Sequence, residues 1–259
     1  MSDEAPLLIH DDGAVRILTV NRPAQRNALN AALLDALGRA IDEAAATLAV
    51  RVVVIAATGD RAFIAGADIS GLVAASPAQA EAASLAAAAV NERIVRCSKP
   101  VIASINGYCM GAGLELAIAC DIRLASTTAQ FGLPEIRLGI MPGGGGTVRL
   151  ARLIGEGPAR ALCMTGANID ATRAHALGLV TEVTEPADLA RATLTLAGQL
   201  AKSSATALDH LKGVFNRLAD CDFATAEILE RKAFALCFAA PDQREGMRAF
   251  LEKREPHFS

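Results

Sequence analysis

The stretch KPVIASINGYCMGAGLELAIACD, residues 99–121, constrains the chain more than any other. Pro100 opens the apolar run Val101, Ile102, Ala103, Ser104, Ile105, and proline suits the first residue of a strand. Asn106-Gly107 breaks the run, as that pair does in tight turns. From Gly111 the residues turn small and aliphatic, which predicts a helix buried on most sides. Glu115 is the one ionisable residue inside it. A carboxylate in such surroundings is destabilising unless it is paired or used. It falls in the first turn, where backbone N–H groups have no intrahelical partner. Ala112 and Glu115 are three apart and share a face, so the N–H of one and the carboxylate of the other converge on one small volume. Gly111 and Gly113 leave the backbone open to a ligand. An amide at a positive helix end, aimed at a reacting oxygen, is an oxyanion-hole donor. The plain alternative is an N-terminal acid that complements the helix dipole.

The 259 residues suit one large domain or a domain with an appendage, and 52% hydrophobic against 20% charged residues allows a sizeable core. A net charge of −3 gives no electrostatic case for nucleic acid, and with no tryptophan and one tyrosine there is no stacking platform for bases. The six cysteines form no CxxC and lie mostly in apolar runs, which suits reduced thiols in a cytoplasmic protein. The four histidines show no metal-ligand spacing, so no metal is expected. The acidic opening MSDEAPLLIHDDG carries no secretory h-region. No apolar run reaches membrane-spanning length without a charge or glycine.

In chain order, residues 7–11 and 14–20 predict two strands around Asp12-Gly13. NRPAQRNALN is a loop ending in Asn30, a candidate cap for a helix striped by Leu33, Leu37, Ile41, Ala44 and Leu48. Arg26 in that loop is either solvated or a phosphate contact. Residues 52–57, VVVIAA, predict a strand buried on both faces. In RAFIAGADISGL, Gly66 leaves backbone open, while Asp68 is also a plain helix cap. Ser76-Pro77 starts an alanine-rich helix within 72–96. A short strand at 122–125 precedes QFGLPEIRLGIMPGGGG, where Glu135 is either a solvated loop carboxylate or a functional group. Gly143 to Gly146 lead into a helix from Thr147; no Lys-Ser/Thr follows, so they form no P-loop. GAGLEL at 111–116 likewise ends in Leu116 and fits no dinucleotide fingerprint. Helices at 156–164 and 170–177, a strand at Leu179-Val180 and a helix from Pro186 to about Ser203 follow. The rest is helical, interrupted at Pro241-Asp242, and contains Phe223, Phe234, Phe238 and Phe250.

Five segments in order give the chain a resemblance to the enoyl-CoA hydratase/isomerase (crotonase) family: NRPAQRNALN at 21–30, AFIAGADI at 62–69, residues 99–121, FGLPEIRLGIMPGGGGTVRL at 131–150, and FAAPDQREGMRAFLEKREPHF at 238–258. The resemblance implies an α/β fold: a spiral core of repeated ββα turns over residues 1–199, then a helical trimerisation region over 200–259. It implies a homotrimer or a dimer of trimers. Carried over residue by residue, it places oxyanion-hole N–H donors at Ala67 and Ala112 and catalytic carboxylates at Glu115 and Glu135. It places coenzyme A and substrate contacts at Arg26, Ala28, Ala65, Gly66, Asp68, Ile69, Tyr108, Gly111, Pro134, Leu138 and Gly143. Phe238 and Lys253 fall in the region that closes over the nucleotide of neighbouring subunits. The lysine-rich helix of the family's RNA-binding members has no counterpart, since residues 31–50 contain Arg39 and no lysine.

The resemblance implies hydration of a trans-2-enoyl-CoA, an acyl-CoA substrate, with no separate cofactor. A hydratase for a specialised acyl-CoA can keep both glutamates and stays open, and two further readings stand beside it. A Δ3-Δ2-enoyl-CoA isomerase needs one carboxylate, and typical isomerases keep only the later glutamate, so Glu115 argues against it. A catalytically silent binder on the same fold has no need of either glutamate. Acyl-chain length and pathway stay open; the segment 71–85 and Leu138 to Gly146 are expected to line the acyl pocket.

Overall fold

The computed structural model of the protein describes residues 5–258. The first four residues of the acidic opening, and residue 259, lie outside them. The chain begins as a hairpin, β1 (Leu7–Asp12) and β2 (Val15–Val20), turning at Gly13 with φ +57°. Helix α1 (Ala31–Ala46) follows, capped by Asn30, whose side chain accepts from Leu33 N–H. Three turns then repeat one pattern. The first is β3 (Val52–Ala57), β4 (Ala62–Ile64) and α2 (Pro77–Arg96). The second is β5 (Val101–Ile105), β6 (Tyr108–Met110) and α3 (Ala112–Ala117). The third is β7 (Ile122–Ser126), β8 (Gln130–Gly132) and a 3-10 turn, Pro134–Leu138. After these come α4 (Gly146–Ile154), α5 (Glu156–Thr165), β9 (Ile169–Asp170), α6 (Ala171–Ala176), β10 (Glu182–Thr184), α7 (Leu189–Ala201), α8 (Ala205–Arg217), α9 (Phe223–Cys237) and α10 (Pro241–Glu252).

In each repeat the first strand joins one sheet and the second strand the other. The larger sheet has the order β1-β2-β3-β5-β7-β10 and is parallel apart from the opening hairpin. The smaller has the order β4-β6-β8-β9, parallel across its first three strands. The two sheets therefore advance in step, as a spiral. Alternation along β3 shows why the larger sheet is apolar on both sides. Val53 and Ile55 face the main core with Phe63, Ile105 and Phe131. Val52 and Val54 face the opposite way, under Leu189 and Ala197 of α7.

Most expected elements are present, with informative differences. Leu179 and Val180 are core residues but not a strand. Leu179 N–H closes α6 onto Ala174 O, and its carbonyl accepts from Arg123 Nε at 2.7 Å, so pairing with β7 begins only at Glu182. Pro186 starts a turn, not the helix, which begins at Leu189. Helix α3 stops at Ala117, although the small apolar residues continue to Ala119. Arg123, 5% exposed, takes the carbonyls of Ala117 and Cys120 at 3.3 and 2.6 Å and so terminates it.

The C-terminal helices do not bury their aromatic residues on this chain's own core: Phe223, Phe234 and Phe250 are 80%, 66% and 83% exposed. Helix α8 is held by polar contacts instead. Lys212 Nζ donates to Ile94 O, Lys99 O and Asp121 Oδ2 at 3.0, 3.1 and 2.8 Å, and Asn216 donates to Val95 O at 2.8 Å. Among the described residues no helix is long and apolar enough to cross a membrane.

At the junction of β4 with α3 the two backbones approach closely. A Cβ on Gly113 would collide with the carbonyl oxygen of Ile64 and lie 2.7 Å from its Cβ. Backbone there has no room to yield, so Gly113→Ala is expected to destabilise the protein by about 1–3 kcal/mol or more. Calorimetry should show Tm lower by roughly 2–12 °C.

Candidate active site

The carboxyl ends of β4, β6 and β8 lie side by side, and each leads directly into a candidate segment. β4 runs into Ala65–Ile69, β6 into Gly111 and α3, and β8 into the turn bearing Glu135. Gly111 N–H bonds Gly132 O at 2.9 Å, joining the last two. A Cβ on Gly111 would sit 3.7 Å from Gly66 Cα and 3.0 Å from Glu135 Oε1, and Gly111 holds φ +53°. Glycine is required there by both conformation and space.

The loop at 65–68 is fixed by the loop at 21–30. Ala65 N–H bonds Arg26 O, Leu29 N–H bonds Gly66 O, and Asp68 N–H bonds Leu29 O, at 3.1, 2.9 and 2.8 Å. This bridge uses the groups on either side of Ala67 and turns the Ala67 N–H to the other edge. Among the described residues, neither the Ala67 nor the Ala112 N–H has a hydrogen-bond partner. Each follows one of the touching glycines, Gly66 and Gly111, so the two free amides are neighbours.

Glu115 is 3% exposed. Its Oε1 accepts from Gly144 N–H at 2.7 Å and Gly146 N–H at 2.9 Å. Burial raises its pKa, opposed by those two amides and by the Arg149 charge. Glu135 is half-buried, and its Oε2 is shielded from solvent without a partner. Burial, with the Glu115 charge as a lesser cause, pushes its pKa up to about 7. One carboxyl that exchanges its proton near neutrality, beside one anchored by amides, makes a pair with two roles.

Of the other candidates, Ala65, Gly66, Asp68 and Ile69 flank Ala67 in the chain, Ala28 precedes Leu29 on the bridging loop, and Arg26 of that loop is exposed. Asp68 also serves as the cap it resembles, accepting from Ser70 N–H at 3.3 Å, and it accepts from Ser70 Oγ at 2.6 Å and pairs with Arg22 at 3.5 Å. Pro134 and Leu138 share the turn of Glu135, and Gly143 lies in the glycine loop beside Glu115. Tyr108 stands at the opposite end of β6, paired with Ala62, and is exposed. Phe238 and Lys253 sit at the ends of α9 and α10; the ring contact of Phe238 is with Phe234.

The sequence reading missed residues that hold the site. Asn27, 1% exposed, donates to Thr58 O and Ala62 O at 3.0 and 2.8 Å and accepts from Arg22 N–H, pinning the 21–30 loop to the ends of β3 and β4. Gly144 and Gly146, rather than Gly143, face Glu115: a Cβ on either would lie 2.5 or 2.9 Å from its carboxylate. The run of four glycines was the visible signal, but its partner was not.

The stepped sheets, with free amides and carboxyls along one edge, are those of a crotonase-type spiral. The sequence model of the enoyl-CoA hydratase/isomerase family matches residues 10–259. The chain is 39% identical over 249 residues to a short-chain-enoyl-CoA hydratase of Clostridium acetobutylicum, covering 96% of this chain and 95% of that protein. It is 41% identical over 261 residues to 2,3-dehydroadipyl-CoA hydratase of Escherichia coli, covering 97% and 98%. A solved enoyl-CoA hydratase from Bacillus anthracis superposes with TM-score 0.94 at 34% identity, over 98% of this chain and 99% of that one. The chain belongs to the enoyl-CoA hydratase/isomerase family.

The raised pKa of Glu135 carries a pH signature. A carboxyl lifted from 4.5 to about 7 on folding gives a native state that binds the extra proton between those values. Its contribution therefore falls as pH rises through that window. Denaturant unfolding at pH 5 and pH 8 should show Glu135→Gln gaining stability relative to wild type at pH 8, and no such gain at pH 5.

Proposed function

We propose that this edge hydrates a trans-2-enoyl-CoA. The observation that carries the reading is the convergence of two unpartnered amides with two carboxyls of raised pKa. The names of the relatives support it. The thioester oxygen would accept from the Ala67 and Ala112 N–H groups, which stabilise the enolate-like charge that develops as water adds at C3; one such donor is worth roughly 3–4 kcal/mol of barrier. Ionised Glu115 would take a proton from water as its oxygen bonds to C3, and protonated Glu135 would give a proton to C2. The two carboxyls then re-equilibrate their proton through solvent. This chemistry asks for no metal or redox group.

The coenzyme A moiety would lie along Ala65–Ile69 with Arg26 at its phosphates. The exposed aromatics of the C-terminal helices suit burial between subunits in a trimer or a dimer of trimers, since exposed patches of that size are unusual on a monomer. Phe238 and Lys253 would then serve a neighbouring site.

Loss of enoyl absorbance with crotonyl-CoA tests the reading directly. Conversion of a 3-enoyl-CoA alone would replace it with isomerisation, and silence toward a panel of chain lengths would remove it. Glu115→Gln and Glu135→Gln should each lower kcat by about 100- to 10,000-fold while thioester binding persists; near wild-type turnover in both would exclude the carboxylate assignment. Ala112→Val keeps the amide but crowds the oxygen it faces. A large fall in kcat/KM with little change in Tm is expected, and full activity would place the oxyanion site elsewhere.

A further inference from the structure

The loop Gly143–Gly146 has no side chains to hold itself, and glycine explores more backbone states than any other residue. Its amides nonetheless converge on one oxygen of Glu115. What directs them lies on α2. Ser84 Oγ donates to Gly143 O at 2.6 Å, and Asn91 Nδ2 donates to Gly144 O at 2.9 Å. Residues seven apart lie on one helix face. Asn91 is 3% exposed, a polar side chain between the apolar Val90 and Ile94 on the buried side of an alanine-rich helix. The next residue, Glu92, reaches Arg149 of α4 at 3.4 Å, and a Cβ on Gly145 would meet the Arg149 guanidinium at 2.8 Å. Ser84 holds the peptide that carries the Gly144 N–H and Asn91 holds the next one, and the loop so held presents the N–H groups of Gly144 and Gly146 to Glu115 Oε1.

We propose that Asn91, together with Ser84, is a positioning residue for Glu115: the two side chains clamp the glycine loop so that its amides fix Oε1 and leave Oε2 to meet water. The inference rests on the hydratase reading and assigns the orientation and charge of its carboxylate base to α2. Amide donors favour the ionised carboxylate, so a loosened loop makes Glu115 harder to ionise. The other groups acting on that carboxylate are Arg149 from α4, which Glu92 of α2 pairs, Glu135 from the 134–138 turn, and Cys163 of α5, whose thiol feels both glutamates.

Asn91→Leu keeps the volume and removes the donor. Steady-state kinetics with crotonyl-CoA from pH 5 to 10, alongside thermal unfolding, should show kcat lower by about 10–100-fold with KM changed less than about threefold. The acidic limb of the kcat profile should move to higher pH. A purely packing role would lower Tm and leave kcat and the limb in place, which would overturn the proposal. If Asn91→Leu fails to fold, Ser84→Ala leaves the buried face of α2 intact. It should move the limb in the same direction with a smaller loss of kcat, and an unchanged profile would overturn the proposal equally. Glu115→Gln separates the two levels. If it stays active, Glu115 is not the base and its carboxylate assignment fails; if it is inactive while both α2 variants match wild type, only the positioning role fails.

Discussion

A buried carboxylate that keeps its charge needs donors, and around Glu115 the whole site is built to supply them. Burial opposes ionisation, while two glycine amides and the Arg149 charge favour it. That balance accounts for features that otherwise look unrelated. The Gly144 and Gly146 positions admit no side chain because the carboxylate fills the space. Helix α2 carries a buried asparagine because the loop cannot hold itself. Helix α3 ends at Ala117, with Arg123 on that residue's carbonyl and on the carbonyl of Cys120 beyond it, so a positive charge sits at the negative end of the short helix that bears the glutamate.

The stepped sheets make this arrangement possible. Parallel pairing of β4, β6 and β8 delivers three consecutive chain exits to one edge. The amide of Ala67, the amide of Ala112 and the carboxyl of Glu135 come from three successive turns, yet each lies within a few residues of its strand. Asn27 adds a fourth segment by bonding to the ends of β3 and β4. Because the donors are backbone groups, their placement depends on the spiral rather than on any rotamer, which is the preorganisation an oxyanion site requires.

Glu115 and Ala112 were legible in the sequence because a carboxylate inside an apolar, glycine-flanked helix start has few physical explanations. Both-face burial of residues 52–57 was legible from their unbroken apolar run, as was the Asn30 cap. The short strands β4, β6 and β8 were not, since three residues carry no period. Glu135 was ambiguous until its burial was visible, because a loop carboxylate is ordinarily solvated. Asn91 and Ser84 were hidden for another reason. Their acceptors are carbonyls 53 and 59 residues away, and a backbone acceptor leaves no trace in residue type. The strand expected at Leu179-Val180 failed because helix closure and Arg123 claim Leu179 first.

Lys212 reaches back across 118, 113 and 91 residues to Ile94, Lys99 and Asp121. Chains emerge from the ribosome N-terminus first and fold as they go. A nascent chain exposed only through α7 already has every strand of both sheets. It still lacks the cation for Asp121 and the donor for two interior carbonyls. The base of the spiral is thus chemically satisfied only when α8 arrives, so one of its polar contacts belongs to the last part of the chain to be made.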